Sequence, residues 1–216
     1  RILSETRVNR IRVSSLQPQE ITDEILELWT DKRMCPHFHI PLQSGDDEIL
    51  RVMRRRYSSA DYSRTVENVN AKIPGVAITT DVIVGFPGEG QNQFENSIKF
   101  ARDMRFASMH VFPFSKRPGT TAYYMDDSVC ESDKKHRVGR FLELSQVQSM
   151  RYRNSQLGSI RPVLWEQLVE TDGTLWYLGH TDNYLKVKTN SGKSVINQIT
   201  DARLINDQGD ILVAEI

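Results

Sequence analysis

Four short stretches carry polar or glycine residues directly after an apolar run. They are Ser14-Ser15-Leu16-Gln17-Pro18, Gln43-Ser44-Gly45, Gly85-Phe86-Pro87-Gly88-Glu89 and Ser115 to Thr120. Glycines at 85 and 88 let backbone approach a ligand closely, and the Glu89 carboxylate accepts from a hydroxyl or an amine. Loops need turn residues in any case, so a ligand site and a plain turn both fit. Arg51, Arg54, Arg55 and Arg56 crowd the stretch before Tyr57. A guanidinium binds phosphate by matching two donors to two oxygens, but such a run also makes an ordinary solvated helix face. His37 and His39 lie two apart on one side of a strand, with no carboxylate or cysteine at a matching metal-ligand spacing. A packed or hydrogen-bonded pair is the better reading. Cys35 and Cys130 read as free thiols without a role. Trp165, Trp176, Tyr177 and Tyr184 interleave with His180, Lys186 and Lys188. Aromatic faces with cations are what single-stranded or loop RNA binding uses. A small barrel core would consume most of these rings, Trp165 among them, leaving Tyr184 as the surface candidate.

These residues need elements to hold them. Ile11–Ser14, His37–Leu42, Ala77–Val84 and Ser108–Phe112 read as strands. Between them lie helical patterns with Ile21, Ile25, Leu28 and Trp29, then Ile49, Leu50 and Met53. Further helical faces carry Tyr62, Val66 and Val69 (Ser59 as N-cap), then Phe94, Ile98 and Ala101. Strand–helix alternation predicts parallel strands wrapped by helices, with function at the strand C-termini. Ser132 to about Gln156 reads as one long helix, ended by Gly158 and Pro162. Val163–Val169, Leu175–Leu178, Tyr184–Lys188 and Ile211–Val213 then read as short strands joined by Asp-Gly, Asp-Asn, Ser-Gly and Gln-Gly turns. The fold class is therefore α/β over residues 1–157, followed by a small closed β-barrel over residues 158–216.

Composition sets outer limits. The 216 residues carry 28 Lys+Arg against 28 Asp+Glu, 26% charged and 38% hydrophobic, as in an ordinary globular protein. No apolar run reaches the ~18 residues of a membrane span, and two distant cysteines cannot build a disulfide framework. A cytoplasmic protein without a membrane partner is expected. The chain opens on Arg1 and reads as an excised piece. Its zero net charge hides an asymmetry of +3 over residues 1–157 and −3 over 158–216. Lys134, Lys135, Arg137, Arg140, Arg151, Arg153 and Arg161 face Glu143 alone between residues 134 and 161. That basic helix is either an electrostatic footprint for RNA or the partner of the acidic β domain.

Taken together, several stretches are specific. Arg10 to Pro18, His37-Phe38-His39-Ile40-Pro41-Leu42-Gln43-Ser44-Gly45, Met53-Arg54-Arg55-Arg56-Tyr57, Thr80 to Glu89, and His110 to Thr120 occur in that order. The chain resembles the radical S-adenosylmethionine methylthiotransferase family. The β part is similar to that family's C-terminal TRAM domain, through Gly158, Val163-Leu164-Trp165-Glu166, Gly179 to Tyr184 and Gly192. Pro113-Phe114-Ser115-Lys116-Arg117 is most similar to the MtaB-like branch, which acts on N6-threonylcarbamoyladenosine beside the tRNA anticodon. Gly90 and Thr121 stand where the family commonly has Thr and Pro.

The resemblance implies about four of six βα units of a partial TIM-like radical SAM barrel, S-adenosylmethionine as cofactor, two [4Fe–4S] clusters in the full-length enzyme, and tRNA as partner. It implies no metal ligand within this chain, because the family's CxxxCxxC is absent, and so a piece inactive by itself. Gln43 and Ser44 are implied for the ribose or carboxylate of the cofactor; Val84, Gly85, Phe86 and Glu89 for its adenine side; Ser15 for cofactor contact. Arg12, Arg55, Ser115, Lys116, Arg117 and Thr120 are implied for substrate or RNA, with Tyr184 and Lys186 from the β domain. Arg12 is equally compatible with a structural ion pair. A binding module that only docks tRNA, and enzymes acting on isopentenyladenosine or a ribosomal protein, remain alternatives. A truncated barrel would expose a strand edge that invites dimerisation.

Overall fold

The computed structural model describes residues 1–126 and 129–216. A short helix α1 (Ile2–Glu5) and α2 (Asp23–Leu26) precede β1 (His37–His39). Then follow α3 (Asp47–Val52), α4 (Ser59–Lys72), β2 (Ala77–Val84), α5 (Gln91–Met104), β3 (Ser108–Pro113) and α6 (Glu131–Gln156). The three strands pair in parallel in the order β1-β2-β3. Alternation along β2 decides the layers. Ile78, Val82 and Val84 join Tyr62, Val66, Val69, Phe94, Ile98 and Ala101 in one core, while Thr79 and Asp81 line a cavity on the opposite face. Thr80 lies on the core side, and its hydroxyl donates to the Ile40 carbonyl at 2.7 Å and accepts from Leu42 N–H at 2.9 Å. Buried and fully bonded, it adds no desolvation penalty.

The helix starts follow local chemistry. Ser58, not Ser59, caps α4 in a reciprocal box with Asp61, and Asp46 caps α3. Two expectations are corrected. Ile11–Ser14 does not form a strand: only Ile11 pairs, in a parallel bridge with Met34, and Ser15 turns to φ 62°. The helical pattern over Ile21–Trp29 splits into α2 and a 3-10 turn at Glu27–Thr30.

Beyond Gly158 lie β4 (Ile160–Thr171), β5 (Thr174–Thr181), β6 (Lys186–Thr189), β7 (Ile199–Asp207) and β8 (Leu212–Glu215). They close into a barrel in the order β4-β5-β6-β8-β7. Asp172 and Gly173, both at positive φ, make the tight β4–β5 turn. Val163, Trp165, Val187, Leu204 and Leu212 fill the interior. The sequence shows four strand patterns here; β7, in which only Ala202 and Leu204 are buried, is a fifth strand.

Candidate functional site

Parallel strands bring their C-termini to one edge of the sheet, and a pocket of about 470 Å³ opens there. Gln43 enters it from the end of β1. Its backbone donates to Asp81 O and accepts from Ile83 N–H, yet it holds φ 65°. A non-glycine residue in that conformation persists only where surrounding bonds enforce it. Asp81, Ile83, Phe86, Phe112, Phe114, Ser115, Arg117 and Thr120 complete the lining. Phe86 and Phe114 meet edge to face at 5.0 Å. A second pocket of about 220 Å³ adjoins the first through Ile83, Phe86, Thr120 and Ala122, and adds Val52, Met53, Arg54 and Arg55. The Arg55 Nε is buried without a partner among the described residues.

Asp81 was not anticipated. Its carboxylate lies 3.1 Å from His39 Nε2 and 3.3 Å from His110 Nδ1, and it lines both the 470 Å³ pocket and a larger cavity of about 660 Å³ on the face opposite the apolar core. The sequence signal is Thr79 and Asp81, polar positions alternating with the buried Ile78, Thr80 and Val82. His37 and His39 form the bonded pair expected, both reaching the Thr79 hydroxyl. His37 is 2% exposed, and burial beside Arg12 and His39 pulls its pKa down to about 4.

The other anticipated residues fall into three groups. Ser44 and Glu89 are buried and already committed. Ser44 shares a hydrogen bond with Ser97 at 3.0 Å and accepts from Asp46 N–H. Glu89 accepts from Gly85 N–H and from Arg137 at 2.7 Å. Burial pushes its carboxyl up, while these two donors pull against that. Val84 and Gly85 lie in the same turn; Gly85 has φ 72°, and a Cβ there would meet Lys134 Cγ at 2.5 Å. Arg55, Ser115, Lys116, Arg117 and Thr120 stand at the C-terminal edge. Arg12, Ser15, Tyr184 and Lys186 do not: they line the 660 Å³ cavity. Arg12 covers the Tyr184 ring at 3.8 Å, and His180 stacks near the same ring at 4.8 Å. Tyr184 also contacts His37 at the start of β1. Seven steps of β2 at ~3.3 Å separate the sheet's two edges by ~23 Å.

Ion pairs take up five of the seven cations, but only Arg153 reaches from the helix to the acidic β domain. Arg137 pairs with Glu89, Arg140 with Glu95, Arg153 with Asp207, Arg161 with Asp182 and Lys134 with Glu131. Of the seven cations only Lys135 and Arg151 lack a described partner. A [4Fe–4S] cluster needs close thiolates. Cys35 is buried before β1, its Sγ accepting from Arg10 Nε at 3.3 Å, and Cys130 is exposed at the head of α6. These two do not fit a cluster. Among the described residues no group of three His, Cys, Asp or Glu is placed to hold a metal ion, and no helix is long and apolar enough to cross a membrane.

Residues 2–101 match the Radical SAM superfamily. The chain is 37% identical over 200 residues to a threonylcarbamoyladenosine tRNA methylthiotransferase of Bacillus subtilis, covering 92% of this chain and 44% of that protein. It is 36% identical over 205 residues to a tRNA-2-methylthio-N(6)-dimethylallyladenosine synthase of Carboxydothermus hydrogenoformans, covering 93% and 47%. The chain thus spans less than half the length of these curated relatives. Its fold is similar to the radical SAM enzyme coproporphyrinogen III oxidase (HemN) of Escherichia coli, with TM-score 0.55 at 12% identity, over 96% of this chain and 51% of that one.

Proposed function

Because the chain belongs to the radical SAM methylthiotransferase family, we propose that it supplies cofactor- and substrate-binding parts of a tRNA methylthiotransferase. The product is a methylthio group at C2 of N6-threonylcarbamoyladenosine beside the anticodon. The parallel sheet is assigned to the partial radical SAM barrel, and residues 158–216 to a TRAM domain.

The observation that carries the reading is the pair of adjoining pockets at the C-terminal strand edge. One offers an amide and a carboxylate, Gln43 and Asp81, for ribose hydroxyls, beside Phe86 and Phe114 for a flat base. The other offers Arg55, with its unpartnered buried Nε, for a carboxylate. A nucleoside bearing an amino-acid tail has that distribution of groups, and S-adenosylmethionine is such a molecule. When bound, it supplies the activating chemistry; the residues of this chain bind it, orient it and exclude water. On this reading Arg55 contacts the cofactor rather than the substrate, and Ser44 and Glu89 support the loops. Ser115, Lys116, Arg117 and Thr120 keep the nucleoside and its phosphates. Lys116 and Arg117 have no described acidic partner, and a cationic rim favours the anionic threonylcarbamoyl group over an apolar dimethylallyl one. Cluster ligation is assigned to cysteines other than Cys35 and Cys130, so residues 1–216 alone should be inactive.

Two measurements test this. Gln43→Ala and Asp81→Asn in the intact enzyme should weaken S-adenosylmethionine binding by calorimetry; unchanged binding rejects the pocket assignment. Nucleosides from tRNA of a deletion strain should lose the methylthio-threonylcarbamoyl form. Loss of the methylthio-dimethylallyl form instead would reject the branch.

A further inference from the structure

The β domain meets the sheet at its N-terminal edge through a polar junction rather than an apolar one. Asn183 is 1% exposed. Its Nδ2 donates to Tyr152 Oη at 2.8 Å, Gln156 Oε1 at 3.1 Å and Gly75 O at 3.3 Å, and its Oδ1 accepts from Thr181 at 2.6 Å. The Gly75 carbonyl also accepts from Tyr152 Oη at 3.0 Å and Arg161 Nη2 at 3.2 Å. One side chain thus ties together the turn before β2, the last turns of α6 and the β domain. The next residue, Tyr184, holds φ 70° between Arg12 and His180. That conformation is costly for an aromatic residue. The turn bonds from Tyr184 N–H to Thr181 O and from Thr181 N–H to Leu185 O, both 3.0 Å, hold it, and the ring contacts add to them. Hydrogen bonds are directional, so a satisfied buried network fixes angle as well as contact.

We propose that Asn183 is a positioning residue: with the Tyr184 wedge it locks the β domain to the sheet in one orientation, so that an RNA held by the β domain meets the reacting edge at a set distance. The second half rests on the tRNA reading above. With ~23 Å between the two edges, neither residue touches a base at the reacting edge, and any effect on catalysis must act through orientation.

Asn183→Asp keeps the shape and the bond from Thr181 but removes both Nδ2 donors. Tyr184→Phe keeps the ring, whereas Tyr184→Ala removes it. Small-angle scattering of the chain reads the domain arrangement. KM and kcat of the intact enzyme are compared for whole tRNA and for a short stem-loop reaching only the reacting edge. Asn183→Asp and Tyr184→Ala should broaden the scattering profile and raise KM for whole tRNA about tenfold, as for withdrawal of a buried donor. Values for the stem-loop should stay as in the wild type, and Tyr184→Phe, which keeps the ring, should leave the scattering profile unchanged. Unchanged scattering in Asn183→Asp overturns the lock; if that variant does not fold, Tyr184→Ala decides, since Tyr184 is 47% exposed. Altered scattering with unchanged KM overturns the positioning role. A wild-type enzyme that does not bind tRNA overturns the functional reading and the positioning role with it, while scattering still judges the lock.

Discussion

The Arg137 guanidinium lies 2.7 Å from the Glu89 carboxylate, with side chains 7% and 1% exposed. Arg137 Nη1 also reaches the Glu89 carbonyl at 2.8 Å, and the carboxylate closes back on Gly85 N–H. A helix residue 48 positions away in sequence therefore pins the turn from which Phe86 enters the candidate cofactor pocket. The shape of the turn at the C-terminal strand edge thus depends on this buried charge pair.

Removing one partner of such a pair leaves the other charge buried and unpaired, at a cost of about 3–5 kcal/mol. Glu89→Gln should lower unfolding free energy by that order in urea titration. Arg137→Met combined with Glu89→Leu should cost less than the two single changes added together. Full additivity would show that the two groups do not act as a pair.

His37 makes stability depend on pH. Its pKa falls from the ordinary 6.5 to about 4, chiefly because burial disfavours the cation. Between those values the unfolded chain carries a proton that the folded chain does not. Stability therefore rises with pH across that window and is lost on acidification. At 1.36 kcal/mol per pKa unit the effect reaches about 3 kcal/mol. His37→Gln should flatten the stability curve between pH 4 and 6.5; parallel curves for the two proteins would refute the assignment.

Salt dependence separates the two basic regions. Among the described residues Lys116 and Arg117, at the C-terminal strand edge, have no acidic partner, whereas most cations on and after α6 are spent on Glu89, Glu95, Asp207 and Asp182. Each phosphate contact removed should lower the log–log salt slope of tRNA binding by about 1. Lys116→Ala with Arg117→Ala should lower it by about 2, and Lys135→Ala with Arg151→Ala by far less. The reverse order would return the RNA footprint to α6.

The contrast between these regions shows what a sequence can disclose. Charges along α6 are plain in the chain, but Arg137, Arg140 and Arg153 find their acids 45 to 54 positions away, and only folding brings them together. Strand β2 was legible because Ala77–Val84 is densely apolar and covered by helices on one face. Ile11–Ser14 has the same alternation, yet pairs at one residue only. Strand β7 escaped because only Ala202 and Leu204 among its nine residues are buried. The strand-end loops were readable as a site, but which side chains face the pocket was not. Ser44 and Asp81 are both polar, and only pleat and register turn one toward Ser97 and the other toward the ligand edge.

Closure of the β barrel makes the last prediction. Gly179 sits opposite Trp165, beside the bulge where β4 slips between Trp165 and Gln167. A Cβ at 179 would lie 2.2 Å from Leu164 O and 3.1 Å from Trp165 Cα. Both are backbone atoms and cannot swing aside like a flexible side chain. Gly179→Ala must therefore push β5 away from β4, where the buried Trp165 indole donates to Thr200 at 2.8 Å. Overpacking of this kind costs about 1–3 kcal/mol or more. Tryptophan fluorescence during thermal unfolding should show a lowered midpoint for Gly179→Ala. Gly192→Ala, where nothing lies within 4 Å of the added carbon, serves as the control and should unfold as the wild type does. Equal midpoints for the two variants would mean that the strands can separate at no cost, and that this glycine is not what lets the barrel close.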